Sequence, residues 1–367
     1  MFKGFQQVKD QGLRSAGGRV HINTIDHMKG VGILLVVLGH AIAGTRTANA
    51  DAGALADFVF DWIYCFHMPL FFSISGFMLA FRQGSMPAQK KDRRSYILEH
   101  LLNYGILYFV YSILYCVSKI AFSGYVALSV TWNDVFLLPV RAVGPYWYLY
   151  VLLILYAVFA PLYTDTFPAV PVFLLLIPLS VAGEMAGGLP FELARVMKYS
   201  LYYSFGILSY RIFTKRRSSQ ILYALLISLI ISTAAYAFHL KSPLSGWRQT
   251  LSGLIAALAY IVLINCISAA LTAGKSLFCR MPSSFFVFLG QHSLVIFLLH
   301  VFFLTGAVRL FSALPSALVI LLSSAAGILF PLLIEYAAKI LRIDGLLFSP
   351  GRLLMKRHTG SDQSARR

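Results

Sequence analysis

Negative charge is what this sequence has least of. Only 14 of its 367 residues are Asp or Glu, against 31 Lys or Arg, and charged residues of both signs make up 12% of the chain. Soluble domains carry about 25% charged residues, so an ordinary water-soluble globule is excluded. Cysteine is scarce as well: Cys65, Cys116, Cys266 and Cys279 lack the paired spacings that metal and redox sites use. They read as packing residues, and no metal is expected. No internal repeat is visible, which removes the inverted-repeat signature of many transporters. Nor does a small-residue cleavage site follow the first apolar run, so that run is expected to stay as a helix rather than leave as a signal peptide.

What fills the chain instead is apolar: 58% hydrophobic and 14% aromatic residues, with the charges bunched between long apolar runs. A membrane-spanning helix needs about 20 apolar residues, and lipid, which offers backbone groups no partner, favours helices for the crossing. Ten runs qualify, at roughly 30–44, 57–80, 96–121, 145–164, 168–183, 198–214, 220–239, 249–272, 284–308 and 312–340. The first and fifth are short, which implies partial burial in protein or local thinning of the bilayer. The expected fold is all-α, a polytopic membrane helical bundle of about ten transmembrane helices. Its organisation reads as a cytoplasmic N-terminal segment (1–29), a transmembrane domain (30–342) and a cytoplasmic tail (343–367) whose polar end is expected to be disordered.

Charge alternates along the connections. Lys3, Lys9, Arg14, Arg19 and Lys29 precede the first run, whereas the loop after it holds Arg46 against Asp51 and Asp57. The basic side then receives Arg82, Lys90, Lys91, Arg93 and Arg94, later Arg211, Lys215, Arg216 and Arg217, then Lys275 and Arg280, and finally Arg352, Lys356 and Arg357. Lys and Arg are retained on the cytoplasmic side, so both termini are expected inside a bacterial inner membrane. The same rule accounts for the formal charge of +17, which in a soluble protein would point to nucleic acid and here does not.

Chemistry concentrates in the first two runs. Lys29 and His40 stand eleven residues apart, almost three helical turns, so they share a face with His40 about 16 Å further from the cytoplasm. An ionisable group inside a membrane is costly and marks a functional position by default; the alternative is a neutral His40 bonding to a neighbouring helix above a snorkelling Lys29. In the second run, Phe66-His67-Met68-Pro69 descends from the outside and brings His67 to a depth similar to that of His40. An interfacial His before a Pro-initiated helix competes with a role in positioning substrate or base.

These stretches resemble the integral-membrane acyltransferase 3 family of sugar O-acetyltransferases, which modify lipopolysaccharide, exopolysaccharide and nodulation factors. Lys29 and His40 match its basic residue preceding a His in the first helix, with Lys for the more usual Arg. Phe66 to Phe77 (FHMPLFFSISGF) resembles its second signature, Gly144 onward (GPYWYLYVLLILY) its Trp-aromatic-Leu helix start, and Gly290 to His300 (GQHSLVIFLLH) its late Ser-rich segment ending in His. The resemblance implies ten helices and transfer of an acyl group, most simply acetyl, from cytoplasmic acetyl-CoA or another acyl-CoA to a hydroxyl of a glycan or lipid-linked oligosaccharide. Where several members carry Arg-x-x-Arg, this chain has Lys90 to Tyr96, with Tyr96 in place of the second Arg.

Moving an acyl group from a thioester to an alcohol needs a base or a nucleophile, and imidazole can serve as either near neutral pH. His40 is the expected catalytic group and His67 its assistant. Lys29, Lys91, Arg93 and Arg94 are suited to the phosphates of coenzyme A. Trp147 and Tyr146, with Tyr148, could stack on a sugar ring, and His300 could line the same cavity; interfacial anchoring and packing are the plainer roles for these residues. Ser73 and Ser75 read as helix-packing groups. The competing function is a transporter or flippase that binds a lipid-linked sugar without chemistry, using the same His and Trp.

Overall fold

The computed structural model describes residues 14–16, 19–49, 52–84, 90–122, 130–186, 188–213, 218–241, 247–274 and 277–355. Apart from a short antiparallel hairpin, Arg14–Ala16 (β1) with Arg19–His21 (β2), these residues fold into helices and their connections. The helices are α1 (Asn23–Asn49), α2 (Ala54–Gly84), α3 (Lys90–Ala121), the short α4 (Trp132–Phe136), α5 (Trp147–Leu162), α6 (Ala169–Met185), α7 (Leu193–Phe213), α8 (Ser218–Lys241), α9 (Trp247–Ala273), α10 (Leu277–Gln291), α11 (Ser293–Leu310), α12 (Ser316–Ile340) and the short α13 (Asp344–Phe348). Among the described residues, seven helices are long and apolar enough to cross a membrane, and two shorter apolar ones, Ala169–Met185 and Tyr223–Phe238, accompany them. Leu318, Leu321, Leu329 and Leu333 on α12, with Leu174 and Leu175 on α6, point outward, as lipid-facing residues do.

Two of the expected runs change shape. The first, expected as a short span over 30–44, is a 27-residue helix, because the polar flanks Asn23 to Lys29 and Thr45 to Asn49 continue the same coil, with Asp26 in its first turn and Arg46 in its last complementing the helix dipole. The ninth, expected over 284–308, is two helices meeting at His292 (φ −100°, ψ 4°). The His292 side chain is held by Glu335 of α12, Nδ1 to Oε2 2.6 Å, which anchors the break.

α1 is the hub, packing against α2, α9, α10, α11 and α12, and α2 packs in turn on α7. Two pairs of glycines set the closest approaches. A methyl group on Gly30 would stand 1.8 Å from the Phe286 carbonyl oxygen and one on Gly290 1.7 Å from that of Asp26, so α1 and α10 touch backbone to backbone. Gly76 and Gly206 do the same for α2 and α7, at 1.9 Å from the carbonyl oxygens of Tyr203 and Ser73. Small residues are the means by which helices approach closely where lipid supplies no hydrophobic drive between them.

The chain after α12 folds back instead of leaving the bundle at once. Tyr111 donates to the Leu347 carbonyl (3.3 Å), the Gly351 amide to Asn103 Oδ1 (3.3 Å), and Arg352 pairs with Glu99 (3.3 Å). The polar end from Thr359, like Lys3, Lys9, Lys215, Arg216, Arg217, Lys275, Lys356 and Arg357, lies outside the described residues, as do the side chains of Lys90, Lys91, Cys279 and Arg280.

Candidate functional site

His40 sits about two-thirds of the way along α1, above an apolar seam in which Ile33, Val36 and Val37 meet Ile296 and Leu304 of α11. Its ring lies 5.2 Å from that of His300, centroid to centroid, tilted by 49°. His67 joins them through Tyr64, which stands against both His67 and the Gly39 that precedes His40. The structure therefore brings together three imidazoles from three helices, α1, α2 and α11. Tyr64 closes one side: its ring lies 4.7 Å from that of His67, and it is the nearest side chain to Gly39.

The hydrogen bonds fix two of the three tautomers. His67 Nδ1 lies 2.7 Å from the Ile63 carbonyl oxygen, and His300 Nδ1 lies 2.8 Å and 3.0 Å from those of Phe297 and Ile296. A carbonyl can only accept, so both Nδ1 atoms carry the proton and both Nε2 atoms present a lone pair. His300 is fully buried, and its Nε2 has no partner among the described residues. A buried acceptor without a partner costs free energy, so such a group asks for a reason. His40 forms no hydrogen bond with the described residues and is only half-buried. It is the one ring of the three with both nitrogens available.

The aromatic residues divide. Tyr146 is fully buried and donates to the Leu298 carbonyl (2.7 Å), tying the start of α5 to α11 just before His300. Tyr148 meets the Phe297 ring (5.4 Å) and lies 3.2 Å from Ser75 Oγ. Trp147 faces another way, stacked on Tyr199 at 5.3 Å with the Arg195 guanidinium 4.7 Å from its ring centre.

At the opposite end of α1, Lys29 pairs with the buried Asp26 (3.3 Å). Arg93 does not point into open space: it donates to the carbonyls of Ala160 (3.0 Å), Pro161 (3.3 Å) and Tyr163, capping the end of α5, while Arg94 is exposed. The structure thus keeps Lys29, Arg93 and Arg94 apart from the three histidines.

A family profile described as "Acyltransferase domain" matches residues 22–336. The chain belongs to that acyltransferase family. It is also similar to the nodulation protein NolL of Sinorhizobium fredii (strain NBRC 101917 / NGR234), at 44% identity over 69 residues, a stretch that is 19% of this chain and 19% of that relative. No solved structure matches the chain. This member of the family is a multi-pass, predominantly helical membrane protein, and the matched region holds all three histidines. Among its described residues no three His, Cys, Asp or Glu gather as a metal-binding group.

Sequence reasoning missed one polar cluster. Arg82, from the end of α2, lies 3.2 Å from Tyr96 Oη and 3.2 Å from His100 Nε2 on α3, and His100 donates through Nδ1 to the Tyr96 carbonyl (3.0 Å). The Tyr96 that replaces the second Arg of the family pattern thereby has a guanidinium beside it, supplied from another helix. The spacing of His100 from Tyr96, four residues, was a visible signal; the partner on α2 was not.

Proposed function

We propose that this protein is a membrane-embedded O-acyltransferase that moves an acyl group, acetyl in the simplest case, from cytoplasmic acyl-CoA to a hydroxyl of a cell-surface or secreted glycan or lipid-linked oligosaccharide. It works in a bacterial inner membrane, with ten crossings and both termini in the cytoplasm, and its transmembrane domain runs from 30 to 342. The observation that carries the reading is the meeting of His40 with His67 and His300 inside a chain of the acyltransferase family.

The reaction needs a proton taken from the alcohol as it attacks the thioester carbonyl. A His40 N–H directed at the His300 Nε2 lone pair leaves the other His40 nitrogen as acceptor for that proton. The C–O bond forms, the C–S bond breaks, and the thiolate of coenzyme A leaves and takes up the proton. His67 lends a second lone pair to the imidazolium that forms in between. At the inner end, Lys29, Arg94 and Arg82 supply positive charge for the donor's phosphates, with Lys91 on the same segment and Arg93 holding α5 in register beside them. The acceptor enters from the opposite end, on the side where Trp147 stacks on Tyr199, while the buried Tyr146 ties α5 to α11 beside His300.

Purified protein in proteoliposomes, given acyl-labelled acetyl-CoA and glycans extracted from cells lacking the gene, is expected to place label on the glycan. A transporter or flippase would bind or move the glycan and leave it unlabelled.

A further inference from the structure

A polar cavity of about 350 Å3 opens where α6 ends and α7 and α9 begin, within the size range of small-molecule sites. Tyr64, Glu184, Lys198, Tyr199, Gln249 and Thr250 are among its lining residues. It is a braced structure. Glu184 and Lys198 form an ion pair across α6 and α7, Ser180 donates to the Lys198 carbonyl (2.8 Å), and a methyl on Gly183 would stand 2.6 Å from the Ala194 carbonyl oxygen. Pro69 has no N–H, so the carbonyl of Cys65 four residues before it lacks its helical partner, and both residues line the cavity.

We propose that this cavity is the acceptor subsite and that it takes an uncharged pyranose, a proposal that rests on the acyl-transfer reading above. Three features point to the ligand. A carboxylate, an ammonium, an amide and a hydroxyl on the walls supply both donors and acceptors, as a ring of sugar hydroxyls requires. The two charges cancel, so the cavity has no net attraction for an acidic or basic sugar. The wall is shared with the histidine site, because Tyr64 lines the cavity and its ring lies 4.7 Å from that of His67. A pyranose in the cavity is one aromatic side chain away from the imidazoles, and the rest of a longer glycan extends outward past Gln249. An ion pair this exposed adds little stability, so substituting either partner tests ligand binding with little effect on folding.

Saturation-transfer NMR on the purified full chain tests this without the donor. The probes are the methyl glycosides of glucose, N-acetylglucosamine and glucuronic acid. The neutral glycosides are expected to receive saturation and glucuronide to compete poorly. Glu184→Gln and Lys198→Met are each expected to weaken neutral binding about tenfold or more, the scale of one hydrogen bond to a charged group. Gln249→Leu, on an exposed side chain with little effect on folding, is expected to weaken it as well. His40→Ala should bind like the parent protein while failing to transfer. Binding of the neutral probes that survives all three wall substitutions in folded protein, a preference for glucuronide, or no saturation of any glycoside would overturn the proposal. Wall substitutions that weaken binding in a parent protein unable to move a labelled acyl group would uphold the cavity as a sugar site and overturn the transferase reading instead.

Discussion

His67 and His300 commit the same ring nitrogen to their own helix, three or four residues back, and so offer the same kind of lone pair to His40. For His300 this arrangement separates function from packing. A purely structural histidine should be costly to replace, but an apolar ring at His300 removes the unpartnered Nε2 and costs only Nδ1–H bonds to two carbonyls that α11 already engages, so the net change in stability is small. His300→Phe is therefore expected to keep the thermal midpoint of the detergent-solubilised protein within a few degrees while lowering kcat by about a hundredfold, the low end for a group in proton transfer. A matched loss of midpoint and activity would return His300 to packing. The sequence showed His40 and His67 as candidates because each stood alone in an apolar run. It could not show that their rings meet, since α1, α2 and α11 converge only through tertiary packing.

At the scale of elements, the basic first turn of α3 has two jobs. Arg93 closes the end of α5, where a guanidinium is favoured by the helix dipole and by carbonyls without helical partners. Arg94, one position on, faces away and is exposed. Arg93→Ala is expected to destabilise the protein by about 1–3 kcal/mol with little selective effect on the donor, since hydrogen bonds to a charged group are lost. Arg94→Ala is expected to raise the apparent KM for acyl-CoA and leave the thermal midpoint unchanged; steady-state kinetics beside thermal unfolding distinguish the two. The reverse pattern would exchange their roles. In a sequence the two arginines are equivalent neighbours, and only the 100° turn between adjacent helical positions separates them. Helix existence was legible from apolar length, whereas the break at His292 was not, because it depends on Glu335 some forty residues later.

For the whole molecule, the alternation of basic and sparse connections predicts an orientation that the helix order can carry, with α1 ending at the side where α2 begins and so on through α12. Reporter fusions near Asp51 and Lys241 are expected to read as external, and those near Lys91, Arg216 and Lys275 as cytoplasmic. An internal signal at Asp51 would invert both the histidine site and the cavity beside Tyr64. That cavity was the least legible feature of all, being assembled from α2, α6, α7 and α9, with Pro69 the one lining residue that stands in a quoted motif. The central claim is that His40 carries the proton in acyl transfer. The most direct measurement compares His40→Ala and His40→Gln with the parent protein, each purified from membranes and supplied with labelled acyl-CoA and acceptor glycan. Gln keeps a hydrogen-bonding group of similar reach but takes no proton. Both variants are predicted to insert and fold while transfer falls by about a hundred-fold to ten-thousand-fold. Near-parental transfer by correctly inserted His40→Ala would contradict the account.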